Sequence, residues 1–236
     1  MSRDSVHIAF TVAALNGLDV ICADVQNIYL NAPTSEKNST EAGLEFGSNA
    51  GQPALIVRAL YGLKSSGARW RDHMAATLRA GGFHSCLVDP DVWMKTRVHP
   101  NGDKYWEYLI CYVDEILVIS HDPQLTMDML SESYTLKAGS VKEPDQYLGD
   151  KIHKFQIKNY DDPTKICWGI SSDLYIRRAV TEVECDLEQI DCCLPTRVTT
   201  PLSQGYQPEL DVSAEIDAKR ENYYQGLISI LCWMCD

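Results

Sequence analysis

The sequence predicts an α+β fold, and three observations carry that expectation. An apolar stripe at helical spacing opens the chain, short apolar runs separated by turn residues fill positions 92–120, and helical periodicity returns after residue 172. Strands gathered into a meander, with helices before and after, suit an antiparallel sheet better than alternating strand–helix units.

The elements follow in order. Across residues 5–18, Val6, Ala9, Phe10 and Ala13 share one helical face, and Gly17 stands where a helix would end. Residues 20–25 form a short, largely apolar run rich in β-branched side chains, which predicts a buried strand. Asp24 falls near its C-terminal end, an unusual place for a carboxylate. After a polar loop, residues 54–60 read as a second strand and residues 65–80 as a helix closed by Gly81-Gly82. Strands over 92–98 and 105–113 are joined by the turn-prone Pro100-Asn101-Gly102-Asp103, and a further strand over 116–120 begins directly after Glu115. A short helix at 122–132 and strands at 147–155 and 165–170 come next. From Ser172, the residues Ile176, Val180, Val183, Leu187 and Ile190 recur every three to four positions, an amphipathic helix with Arg177 and Arg178 off the stripe. Residues 195–212 have the turn chemistry of a linker, and residues 223–233 an apolar helical pattern.

Bulk properties limit the function. A chain of 236 residues with 45% hydrophobic content can bury a sizeable core, as one large domain or two small ones. No stretch approaches the roughly 18 consecutive apolar residues of a membrane helix, and the first residues lack the blocks of a signal peptide. An intracellular protein without a membrane partner is expected. Nine scattered cysteines suit reduced thiols better than a disulfide framework. The sequon Asn38-Ser39-Thr40 has no consequence without secretion. The net charge of −12 runs against a nucleic-acid partner, which usually meets a basic footprint. Either the acidic residues sit away from a local basic face, or the basic part of the protein lies outside this chain.

Two carboxylates stand out. Asp114-Glu115 lies between strongly apolar runs that leave room for a two-residue turn only, and such turns favour Asn-Gly or Asp-Gly because they need positive φ. Folding alone does not select Asp-Glu. Adjacent carboxylates repel, and a divalent cation relieves that repulsion through their hard oxygens. With Asp24 from a neighbouring strand, three carboxylates could hold two ions about 3.5 to 4 Å apart for phosphoryl or nucleotidyl transfer. The plain alternative is a solvated loop tip and a strand-end cap.

The motifs match a known family. Tyr112-Val113-Asp114-Glu115 resembles the Tyr-Val-Asp-Asp box of reverse transcriptases, and Ala23-Asp24-Val25-Gln26-Asn27-Ile28-Tyr29-Leu30 resembles their first catalytic motif in its copia-type form. Leu60-Tyr61-Gly62-Leu63-Lys64-Ser65-Ser66-Gly67-Ala68-Arg69-Trp70 is similar to the block that opens the copia-type helix under the template. It is the most specific single match. Tyr147-Leu148-Gly149 and the segments 170–180 and 223–231 fall, in order, where the family carries its primer-grip, thumb and post-thumb segments.

The resemblance implies a polymerase palm, a ferredoxin-like antiparallel sheet with helices on one face, over residues 1–155. It implies a small helical thumb over 156–194, and a linker with the truncated start of a connection region over 195–236. Because the chain starts at the helix before the first catalytic motif, the fingers are expected to be largely missing, which would also account for the acidic balance. By resemblance, Asp24, Asp114 and Glu115 would ligate two Mg2+ or Mn2+ ions, with Val25, Asn27, Ile28 and Tyr29 near the triphosphate. Tyr29 would be the gate against a ribose 2′-OH, and Tyr61 and Gly62 would line the nucleotide pocket. Lys64, Arg69, Arg71, Tyr112, Leu148 and Gly149 would meet the template and primer. The implied partners are an RNA or DNA template with primer, deoxynucleoside triphosphates and the rest of a Gag-Pol polyprotein, in a cytoplasmic virus-like particle or the nucleus.

Departures accompany the matches. Glu115 stands where the family has Asp, and its extra methylene displaces the carboxylate in a chemistry where about 1 Å matters. Ile28 replaces a usually small residue and would crowd the triphosphate. A competing expectation is therefore an inactive transposon relic or a non-enzymatic scaffold. A third is a redox or zinc half-site at Cys232-Trp233-Met234-Cys235, for which no second pair at that spacing exists. Asp89-Pro90-Asp91 reads as a structural loop entering a strand.

Overall fold

A computed structural model describes residues 2–156, 166–198, 205, 207–210, 212 and 214–235. Helix α1 (Arg3–Asn16) is capped by the Ser2 hydroxyl at its start and ends on Gly17 in the left-handed conformation, and its face of Val6, Ala9, Phe10 and Ala13 is buried as the spacing predicts. Strand β1 (Asp19–Asp24) follows, then the single turn α2 (Ile28–Asn31) and the short strand β2 (Ser39–Glu41). A 3-10 segment at Leu44–Asn49 leads to β3 (Pro53–Leu55). The strand expected over 54–60 is thus only three residues long and pairs with β2. Beyond it, single contacts replace a ladder: the Ala59 N–H donates to the Ala32 carbonyl, and Arg58 bridges Pro33.

Helix α3 (Ser66–Ala80) matches its expectation, and β4 (His84–Ser85) leads into the meander β5 (Val92–Val98), β6 (Lys104–Tyr112) and β7 (Glu115–Ser120). These strands and β1 form one antiparallel sheet in the order β1-β7-β6-β5-β4. Strand β7, flanked by β1 and β6, is buried on both faces. Its Ile116 and Val118 join a core with Trp70, Met74 and Leu78 of α3 and with Met127 and Leu130 of α4 (Gln124–Ser133). Leu117 and Ile119 alternate to the opposite face and are also fully buried, and α1 contacts β7.

The strand expected over 147–155 is broken. Leu148 and Gly149 both have positive φ, so β8 (Gln146–Tyr147) ends there and β9 (Asp150–Gln156) begins anew. With β10 (Ile166–Ser171) they make a separate three-stranded sheet. Helix α5 (Asp173–Glu188) carries the expected stripe, yet none of its residues is buried, and Ile190 lies past its end. Much of the 195–212 segment is outside the described residues, and α6 (Ala218–Cys235) covers the final apolar pattern. Two compact units emerge: Met1–Leu148 with Ile152–Gly169, and Gly149–Lys151 with Ile170–Asp236. Among the described residues no helix is long and apolar enough to cross a membrane.

Candidate active site

The site is built where β1 meets the β6–β7 hairpin. Asp24 is the register partner of Glu115, and the Val25 N–H donates to the Asp114 carbonyl at 2.9 Å, so two motifs distant in sequence lie side by side. The antiparallel pairing places Asp24 and Glu115 directly opposite each other, hence on one face.

The turn itself differs from the expectation of Asp114-Glu115 at its centre. Tyr112 pairs with Glu115, so the central residues are Val113 and Asp114, and only Val113 has positive φ, at 55°. That is a position where glycine is usual, and a β-branched residue there is strained by about 1–3 kcal/mol. The strain is held in place from α3: the Trp70 indole N–H donates to the Val113 carbonyl at 2.5 Å. Trp70 is buried and packs edge-on against Tyr134, with ring centres 5.2 Å apart.

The three acids stand in different surroundings. Asp24 is half-buried; its Oδ2 lies 3.6 Å from Lys137 Nζ, its backbone N–H donates to the Ser140 hydroxyl, and its carbonyl accepts from the Lys137 N–H. Asp114 is exposed, and its carboxylate has no partner among the described residues. Glu115 opens β7, so the pleat and not the turn aims its side chain, and its Oε2 accepts the Leu148 N–H at 3.0 Å. Burial raises the Glu115 carboxyl above its ordinary range; the Leu148 N–H opposes that shift and the charges of Asp24 and Asp114 add to it. Asp24 and Asp114 fit a divalent cation by the chemistry of their oxygens. Glu115 has Oε2 engaged by the Leu148 N–H, which leaves Oε1 as its unengaged oxygen, and among the described residues no group of three His, Cys, Asp or Glu is arranged as a metal site.

Other expected residues divide in the same way. Tyr29 and Tyr61 come together edge to face, with ring centres 4.6 Å apart. Asn27, with φ of 49°, turns the chain into α2, and Gly62, with φ of 92°, takes a conformation suited to glycine. Val25 and Ile28 are buried in the core. Lys64 is exposed, and Arg69 lies 3.9 Å from Asp72. Arg71 pairs with Asp91 at 3.1 Å on the wall of a cavity of about 190 Å3 lined also by Tyr29, Trp70, Trp93 and Tyr112. Cys111 lines the same cavity, and burial pushes its thiol up to about 12. Tyr112 is exposed, and Leu148 and Gly149 form the break between β8 and β9. The expected half-site at Cys232 and Cys235 has one exposed thiol, and the second side chain lies outside the described residues.

Sequence reasoning missed Lys137 and Ser140 and gave Trp70 no role. The segment carrying the first two joins β1 through isolated bridges, Val25 to Leu136 and Cys22 to Lys142, which leave no strand periodicity to read.

No protein-family model matches the sequence. The chain is 27% identical over 235 residues, 98% of its length, to the "Retrovirus-related Pol polyprotein from transposon RE1" of Arabidopsis thaliana. This similarity supports a retrotransposon Pol origin. The chain spans 14% of the length of that curated relative, so the Pol similarity concerns a small part of a large polyprotein.

Proposed function

We propose that the chain is the palm and thumb portion of a copia-type retrotransposon reverse transcriptase, an RNA-directed DNA polymerase. The pairing of β1 with β7 carries the reading: it sets Asp24 beside the Val113-Asp114 turn in an antiparallel sheet, in a chain similar over its length to a Pol polyprotein. The palm would be residues 1–155, the thumb 156–194, and the remainder a linker and the start of a connection region.

In this reading Asp24 and Asp114 would hold Mg2+ or Mn2+. The chemistry such ions supply is activation of the primer 3′-hydroxyl and charge relief for departing pyrophosphate. The protein's own residues orient and balance the site. Lys137 offsets the charge of Asp24, Trp70 fixes the turn that carries Asp114, and the Tyr29–Tyr61 pair offers an aromatic edge to a deoxynucleotide. Template and primer would run past Lys64, Arg69, Tyr112 and the Leu148 turn.

A second reading, an inactive relic or scaffold, is favoured by one observation: Glu115 is engaged with Leu148 where the family places its third acid. Extension of a primed RNA template with Mg2+ or Mn2+ separates the two. The polymerase reading expects extension by the chain within its natural Pol polypeptide, reduced about 100-fold or more by Asp114→Asn, as expected for a group that acts in the transition state. Extension by neither that polypeptide nor its Glu115→Asp variant leaves the scaffold.

A further inference from the structure

We infer that Glu115 is a positioning residue, a clasp that holds the Leu148 turn against the end of β7, and that it does not serve as a metal ligand. The clasp itself stands on geometry; its bearing on metal binding rests on the polymerase reading above.

Glu115 is fixed at its backbone from two sides, paired with Tyr112 across the hairpin and with Asp24 across β1. Its side chain therefore has a defined origin. From there the carboxylate reaches Leu148, whose N–H it accepts at 3.0 Å. That amide needs a partner. Leu148 takes φ of 51° at the interruption between β8 and β9, where no strand ladder can satisfy it, and an unpaired amide away from water is costly. Tyr147 beside it is buried, so the turn is anchored on one side by packing and on the other by Glu115.

The length of the side chain decides the outcome. Aspartate at this position would draw the carboxylate back by about 1.5 Å, one carbon–carbon bond, while the paired backbone stays in register. A contact of 3.0 Å would then open beyond hydrogen-bonding distance. The residue that departs from the Tyr-Val-Asp-Asp box is thus the one long enough to make this bond. Glutamine, of equal length and still carrying a carbonyl oxygen, keeps it without the charge.

Amide hydrogen exchange on the full chain tests the clasp, comparing the unmodified protein with Glu115→Gln and Glu115→Asp and taking Leu117 in the sheet core as an internal control for folding. The expected result is Leu148 exchange within about threefold of the unmodified rate for glutamine and faster by about tenfold or more for aspartate, with Leu117 unchanged. Equal Leu148 rates in all three proteins overturn the proposal. A titration with Mn2+ tests the second half: the glutamine variant should bind within about twofold of the unmodified chain, and a loss of about tenfold assigns Glu115 as a ligand and overturns the inference. If the unmodified chain binds no Mn2+, the polymerase reading fails and the exchange comparison alone decides the clasp.

Discussion

At the scale of single residues, the turn at Val113 is the point of greatest conflict between local preference and tertiary structure. A valine in the left-handed region persists because α3 supplies a donor to its carbonyl. Trp70→Phe removes that donor while keeping an aromatic ring against Tyr134. The variant should lose about 1–3 kcal/mol of stability, the cost of leaving a carbonyl unsatisfied, read as a lower urea midpoint with unchanged slope. An unchanged midpoint would show that water replaces the indole. Asp24 and Asp114 were legible in the sequence as acids at the ends of apolar runs, where burial argues against them. The environment of Glu115 was not. Its role depends on whether the turn centres on 113–114 or 114–115, a shift of one residue that reverses which side chain the pleat aims. Nor does any local pattern announce that its acceptor would face an amide at Leu148.

At the scale of elements, the meander was readable because its strands are long and its Pro100-Asn101-Gly102-Asp103 turn is strong, and α1 because its stripe and its terminal Gly17 agree. The short pieces were not: β2, β4 and α2 are each too brief to show a period. One polar feature also escaped notice. Glu107 on β6 is fully buried and binds Arg97 Nε of β5 at 2.6 Å and the Thr126 hydroxyl of α4 at 2.8 Å, and Arg97 also donates to Thr126. Three elements are tied through one carboxylate. Arg97→Met leaves that charge unpaired and should cost about 3–5 kcal/mol, whereas Arg97→Met combined with Glu107→Leu should recover most of the loss. Chemical denaturation of the two variants measures the difference. A double variant no better than the single would mean that the ionic tie, and not the avoidance of an unpaired charge, supports the sheet.

At the scale of the whole molecule, electrostatics set two effects against each other. Exposed ion pairs such as Arg177 with Asp173 and Lys142 with Asp145 weaken as salt is added, but in full contact with water each contributes little. Opposing them is the self-repulsion of a chain with 33 acidic and 21 basic residues. At about 10 mM salt the screening length is roughly 30 Å, so acidic groups repel across most of a domain, and at physiological salt it falls to about 8 Å. Repulsion acts over many pairs and is relieved by unfolding, so it should prevail. The urea midpoint is therefore expected to rise between about 10 and 150 mM KCl, before any specific cation is added. A falling midpoint would mean that the surface pairs govern stability. The same field acts on a nucleic acid. A charge of −12 repels phosphates at the low salt that ordinarily favours binding, so the proposed polymerase function requires either a local basic face or a basic segment outside this chain to supply the attraction.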